Sequence, residues 1–436
     1  MYLAPAGAAA LTHYDRIMDQ ATSPGAAPTT PAAAQADASQ PVIDLEKRYL
    51  LQNYARYPLV LVRGKGCWLY DIDKRRYLDL ITGIGVNALG HAHPRILRVI
   101  RDQATKLIHS SNLYYHQFQG PLAAKLCETS GLQRAFFCNS GTEAVEGAIK
   151  MARSHGRKID LQKFELVSLD NSFHGRSMGA LSITGQPKYR TDFEPLLDGV
   201  RFVPMGDDAA FAGTVNARTA AIFVETIQGE GGINPIPVER LRLARELADR
   251  HNALLVFDEI QCGVGRTGRH YAYQHAEPPV LPDIVVLAKP IACGLPLGAI
   301  VCNEKAAAAI APGMHGTTFG GGALACRVAL EFYDILDELL PQMRRAGEYF
   351  FDGLRRLQKR FGFIRDVRGA GLMIGVELDF VCKHLVAEGM KEGMLFNVTH
   401  ERVVRMLPPY IITEKEVDRA LHGLSRIFRH AKPPEA

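Results

Sequence analysis

The sequence predicts an α/β protein, with a mostly parallel, doubly wound sheet in a large domain and a smaller α/β domain. Three observations carry that expectation. Short apolar runs at 135–138, 165–169, 220–224, 253–257, 283–288 and 298–302 alternate with longer amphipathic segments, the pattern of strands covered on both faces by helices. Past residue 323 the text shifts to long helical segments, 325–339 and 344–360, followed by short runs at 363–367 and 372–378. Finally, 47% of the 436 residues are apolar and 22% charged, enough to bury a large core.

Residues 1–42 are rich in Ala, Pro, Gly, Ser and Thr and read as a flexible extension, with too little apolar surface to offset ordering entropy. A basic leader is lacking, and Asp15 and Asp19 argue against a transit peptide. Residues 43–95 read as an N-terminal segment contributing to the small domain; runs at 59–63 and 66–70 suggest a hairpin around Gly64-Lys65-Gly66. Residues 96–323 form the expected large domain and 324–436 the C-terminal small domain. The net charge of +5 is not gathered into any basic run, so nucleic acid is not expected. No apolar stretch nears the roughly 18–20 residues of a membrane span. Eight cysteines (67, 127, 138, 262, 293, 302, 326 and 382) form no CxxC pair, which suits buried thiols in a reducing cytoplasm. His91-Ala92-His93 has no second ligand cluster nearby and reads as a loop pair, so no metal is expected.

Chemistry gathers at the ends of three apolar runs, after which come Glu225, Asp258-Glu259 and Lys289. In a parallel sheet all three emerge at the carboxyl edge, where open α/β sheets bind ligands. The turn Asn139-Ser140-Gly141-Thr142-Glu143 adds a helix start. Ser140 and Glu143 have capping-box spacing, while Gly141 and Thr142 offer N–H groups and a hydroxyl at the helix's positive end, either as an ordinary cap or as a phosphate seat. Gly263-Val264-Gly265-Arg266-Thr267-Gly268 matches the dinucleotide fingerprint in letters only, since no strand directly precedes it and no helix start follows. A phosphate seat, an acid and a strand-end lysine are what pyridoxal 5'-phosphate requires. Its phosphate anchors at a helix start, the acid keeps its ring nitrogen protonated, and the lysine forms the Schiff base.

From about Tyr54 to Pro409 the chain resembles the class III, fold-type I pyridoxal-phosphate aminotransferases, and is most similar to their acetylornithine branch. The matches run in order through Gly90-His91-Ala92-His93-Pro94, 139–144, Phe173-His174-Gly175-Arg176, Ile227-Gln228-Gly229-Glu230-Gly231-Gly232, Asp258-Glu259-Ile260-Gln261, Gly265-Arg266-Thr267-Gly268, Ala288-Lys289, Thr317-Thr318-Phe319-Gly320-Gly321 and Arg405-Met406-Leu407-Pro408-Pro409.

The resemblance implies roles. Lys289 would be the Schiff-base lysine and proton carrier, and Asp258 the partner of the pyridinium nitrogen. Gln261 would bond the ring's 3-hydroxyl oxygen and Phe173 would stack on the ring. Gly141 and Thr142 would hold the phosphate, joined by Thr318 of a neighbouring subunit, so a homodimer is expected. Arg176 would clamp the carboxylate of an acyl-ornithine and the distal carboxylate of 2-oxoglutarate. Arg405 would take the α-carboxylate of glutamate, with Glu230 neutralising it when a terminal amine reacts. The implied reaction is ping-pong transfer of the terminal amine of N-acetylornithine to 2-oxoglutarate in arginine biosynthesis. Ornithine, succinylornithine, succinyl-diaminopimelate and 4-aminobutyrate remain alternative donors, a related mutase a further relative, and an inactive scaffold of the same fold the alternative from another class. Pro290 stands where the family has glycine, and is expected to bias Lys289 toward an extended backbone.

Overall fold

The computed structural model describes residues 38–431. Most of the expected N-terminal extension therefore lies outside the described residues. Its last residues already belong to the helix Ser39–Tyr49, where Leu45, Glu46, Lys47 and Arg48 favour helix and the two cations sit at its negative end.

By its contacts the chain divides into two units, 38–64 with 69–77 and 65–68 with 78–431. The first holds the helix Ser39–Tyr49 and parts of three short strands, and within it the Tyr77 hydroxyl donates to Asp71 Oδ2 at 2.8 Å. The second is built on a seven-stranded sheet of β1 (Arg134–Cys138), β2 (Glu165–Leu169), β3 (Val200–Val203), β4 (Thr219–Glu225), β5 (Leu254–Asp258), β6 (Ile284–Leu287) and β7 (Gly298–Cys302). Its spatial order is β1-β7-β6-β5-β4-β2-β3. β7 runs antiparallel to both neighbours, and every other pairing is parallel. Every residue of β2, β4, β5, β6 and β7 is buried, as sheets covered on both faces demand. Each Val, Leu, Ile or Phe so placed contributes about 1.5–3 kcal/mol.

The doubly wound, mostly parallel sheet is thus present, with β3 as a strand the periodicity did not reveal. The helix Gly141–Ile159 covers one face through Ala144, Val145, Ala148, Ile149 and Ala152. The two helical segments expected around Pro341 are one helix, Ala323–Arg360. Its buried stripe runs on through Ile335, Leu336, Met343, Ala346 and Phe350, and this burial outweighs the one hydrogen bond that proline removes. A second sheet, of β8 (Ile364–Ala370), β9 (Met373–Leu378), β10 (Asn397–Thr399) and β11 (Val403–Met406), is antiparallel in the order β8-β9-β11-β10. Among the described residues no helix is long and apolar enough to cross a membrane.

Candidate active site

Parallel pairing of β4, β5 and β6 brings their carboxyl ends side by side. Asp258 is in register with Glu225 on one side and Val286 on the other, and β6 leads within two residues to Lys289. Asp258 is buried, and its Oδ2 lies 2.8 Å from His174 Nδ1. Among the described residues His174 Nε2, also buried, has no hydrogen-bond partner, so the ring's one strong polar contact there is the carboxylate. Glu225 accepts the N–H groups of Phe173 at 2.8 Å and Gly229 at 2.9 Å. Burial, with Asp258 adding repulsion and His174 opposing, pushes its carboxyl up to about 7.

Lys289 departs from expectation. Its φ is +23°, and it opens the 3-10 turn Lys289–Ala292 rather than lying extended. The preference that Pro290 imposes is overridden by tertiary packing, since Ala288, Pro290 and Ile291 are all buried around the reversal. A strained residue at a strand end is the kind of feature that surrounding structure pays to hold at functional sites. Burial pushes the Lys289 amine below its ordinary value, with Glu230 and Asp258 opposing and Arg405 reinforcing.

At the start of the helix Gly141–Ile159, Ser140 Oγ accepts the Glu143 N–H at 3.3 Å. The return bond differs from a capping box, because Glu143 accepts from the Asn139 N–H at 2.6 Å instead of that of Ser140. The carboxylate thus lies one residue away from the Ser140–Thr142 turn. Thr142 Oγ1 lies 2.7 Å from Ser177 Oγ and accepts the Ser177 N–H at 3.2 Å. Between them passes Gly175, at φ +141°, where a Cβ would lie 2.5 Å from Thr142 Oγ1. Only glycine permits that approach. The result is a small polar cradle at a helix's positive end, suited to a phosphate.

The antiparallel sheet supplies Arg405 from β11. It is fully buried and donates to Glu230 Oε1 at 2.5 Å, Gln261 Oε1 at 3.1 Å and Asn397 Oδ1 at 3.0 Å. Burial alone would raise the Glu230 carboxyl, but Arg405 and Lys289 bring it below its ordinary value. Phe173 is half-buried, with its ring edge-on to Tyr189 at 5.7 Å. Arg176 is exposed, its guanidinium 4.2 Å from the centre of the Tyr189 ring. Thr318 is exposed as well and lies outside this cluster's hydrogen bonds.

Lys289, Asp258, Gln261, Glu230 and Arg405 are therefore linked directly or electrostatically, with Gly141, Thr142, Phe173 and Arg176 on adjoining turns. His174 and Ser177 were missed by sequence reasoning. His174 stood inside one of the matched motifs, but a lone histidine in a polar turn carries no role until its partner is seen. A half-buried lysine, a carboxylate backed by an imidazole and a helix-start cradle suit a phosphorylated aromatic aldehyde with a basic ring nitrogen.

The aminotransferase class-III family matches residues 49–428. The acetylornithine aminotransferase of Methanocaldococcus jannaschii is 47% identical over 393 residues, covering 89% of this chain and 98% of that protein. The protein of that name from Aquifex aeolicus is 44% identical over 383 residues, covering 87% and 100%. Among solved structures, the ornithine aminotransferase of Toxoplasma gondii superposes with a TM-score of 0.87 at 32% identity, over 96% of this chain and 98% of that one. The acetylornithine aminotransferase of Elizabethkingia anophelis does so with a TM-score of 0.80 at 29% identity, over 90% and 99%.

Proposed function

Because this chain belongs to the class-III aminotransferases, we propose that it transfers the terminal amino group of N-acetylornithine to 2-oxoglutarate. The products are N-acetylglutamate 5-semialdehyde and glutamate, a step of arginine biosynthesis. The protein is a transaminase and its cofactor is pyridoxal 5'-phosphate. When bound, the cofactor supplies the carbon that takes the amine and the ring that accepts electrons as the substrate C–H bond breaks.

In this reading the chain's own residues position and move protons. The N–H groups of Gly141 and Thr142, with the Thr142 hydroxyl, receive the phosphate. Asp258, fixed by His174, keeps the proton on the ring nitrogen by ion pairing. Gln261 bonds the 3-hydroxyl oxygen and Phe173 packs on the ring face. Lys289, its amine biased toward the neutral form by burial, carries the proton between the amine-bearing carbon of the substrate and the cofactor's C4′. Arg176 clamps the carboxylate that N-acetylornithine and 2-oxoglutarate share.

The observation that carries the reading is the Glu230–Arg405 pair. A donor that presents its terminal amine places no carboxylate at Arg405, so an internal acid must neutralise that cation. When glutamate or 2-oxoglutarate binds, its α-carboxylate takes the place of Glu230. We also infer a homodimer in which Thr318 reaches the neighbouring subunit's phosphate, supported by the exposure of Thr318 and Phe319. A cytoplasmic location is supported by eight free thiols, six of them buried.

The test is the visible spectrum of the holoenzyme. N-Acetylornithine is expected to bleach the yellow band of the bound cofactor, and 2-oxoglutarate to restore it. Equal bleaching by ornithine would move the protein to ornithine transamination, and a protein that holds no cofactor band would be an inactive scaffold.

A further inference from the structure

Arg405 and Arg176 are held by different means. Arg405 is buried against a carboxylate, which a substrate must displace. Arg176 is exposed and, among the described residues, has no acid within ion-pair distance; its contacts are the rings of Tyr189 at 4.2 Å and Phe173 at 5.6 Å. Tyr189 closes the short turn Pro187–Tyr189. Its N–H donates to the carbonyl of Gln186 at 3.1 Å, and the buried Gln186 amide donates to the Asn171 carbonyl at 3.1 Å. The ring is therefore anchored on one side by this turn and on the other by its edge-on contact with Phe173.

We propose that Tyr189 is a positioning residue, a platform that orders Arg176 for the carboxylate common to both substrates. The proposal rests on the reaction assigned above. An exposed arginine without a partner loses about 2 kcal/mol of rotamer freedom when a ligand fixes it. A ring stacked on the guanidinium face removes part of that freedom beforehand and leaves every N–H at the rim of the plane, open to a carboxylate. A neighbouring acid would order the arginine too, but would compete with each incoming carboxylate. That competition is useful at Arg405, where a carboxylate is present in one half-reaction only. At Arg176 a carboxylate arrives in both, so a partner that never has to leave is the better one. Lys188, whose Nζ lies 4.9 Å from the centre of the same ring, adds positive charge beside Arg176 without competing for its ligand.

The holoenzymes of Tyr189→Leu and Tyr189→Phe test this in steady-state kinetics with N-acetylornithine, 2-oxoglutarate and N-acetyl-1,4-diaminobutane, the donor chain without its carboxylate. Tyr189→Leu is expected to raise KM for the first two by about 3- to 30-fold, the span of a cation–π contact, with kcat near wild type. Tyr189→Phe should behave as wild type, and kcat/KM for the carboxylate-free amine should be unchanged in both. In an Arg176→Ala background, Tyr189→Leu should have no further effect on KM. A Tyr189→Leu enzyme with wild-type KM values, or one that loses equally on the carboxylate-free amine, overturns the proposal. If leucine prevents folding, Tyr189→Met keeps the volume against Phe173 and makes the same comparison. Wild-type enzyme that turns over neither acetylated amine refutes the reaction itself, a failure distinct from a variant indistinguishable from an active wild type.

Discussion

Replacing Glu230 by glutamine removes a charge and keeps the shape, so Arg405 is left uncovered when a terminal amine is to react. The expected result is a fall of about tenfold or more in kcat/KM for N-acetylornithine, the cost of one charged hydrogen bond, with glutamate turnover kept or raised; half-reaction kinetics read both. Glu225 titrates in the opposite sense to a paired acid. Its carboxyl is raised from 4.5 to about 7 in the folded chain, so the native state is favoured below pH 4.5 and loses that advantage as pH rises toward 7. Glu225→Gln removes this titration but puts a donor NH2 where one oxygen accepted the Phe173 or Gly229 N–H, a cost that does not vary with pH, so the melting-temperature difference from wild type should shift in the variant's favour as pH rises from 5 to 8. Asp258, Glu225 and Lys289 were legible in the sequence because a charge that ends an apolar run has one place to go, the sheet's edge. Ser177 and Tyr189 gave no such signal, because each is placed by a turn whose path depends on Gly175 and on contacts made elsewhere in the chain.

The helix Gly141–Ile159 delivers the polar cradle at one end and closes against the sheet at the other. There Gly156 lies so near the backbone of Lys163 that an added Cβ would sit 2.0 Å from the carbonyl oxygen. Gly156→Ala should destabilise the protein by roughly 1–3 kcal/mol, the usual cost of overpacking, because backbone cannot rotate aside. Thermal unfolding would show it, and an unchanged melting temperature would mean that the turn at Lys163 yields. Runs such as 165–169 and 298–302 matched β2 and β7 end to end, since full burial leaves continuous apolar text. β3 escaped notice because a four-residue edge strand carries no continuous apolar run: Arg201 interrupts it and is exposed, and of the four only Val203 is fully buried. The break left between 325–339 and 344–360 erred in the other direction, since only the tertiary stripe shows one helix running on through Pro341.

Across the molecule, the inferred pairing of subunits predicts a particle of about twice 48.0 kDa in light scattering. Thr318→Ala should weaken cofactor binding by about tenfold, one hydrogen bond to a phosphate, while leaving the particle mass unchanged; a monomer that binds cofactor normally would refute the shared site. The order of strands has a further consequence, for the timing of biosynthesis. β1, which leads into the cradle, has among the described residues its only sheet partner in β7, so all of the chain from β2 to β6 is made before β1 can be zipped into place. A nascent chain that has emerged as far as β6 already carries Asp258 but still lacks the strand that joins β1 to the rest. Long-range closure of this kind comes late in folding. With the phosphate seated as proposed, β7 is finished before the vitamin is captured, and cofactor uptake becomes a natural reporter that the centre of the protein is complete.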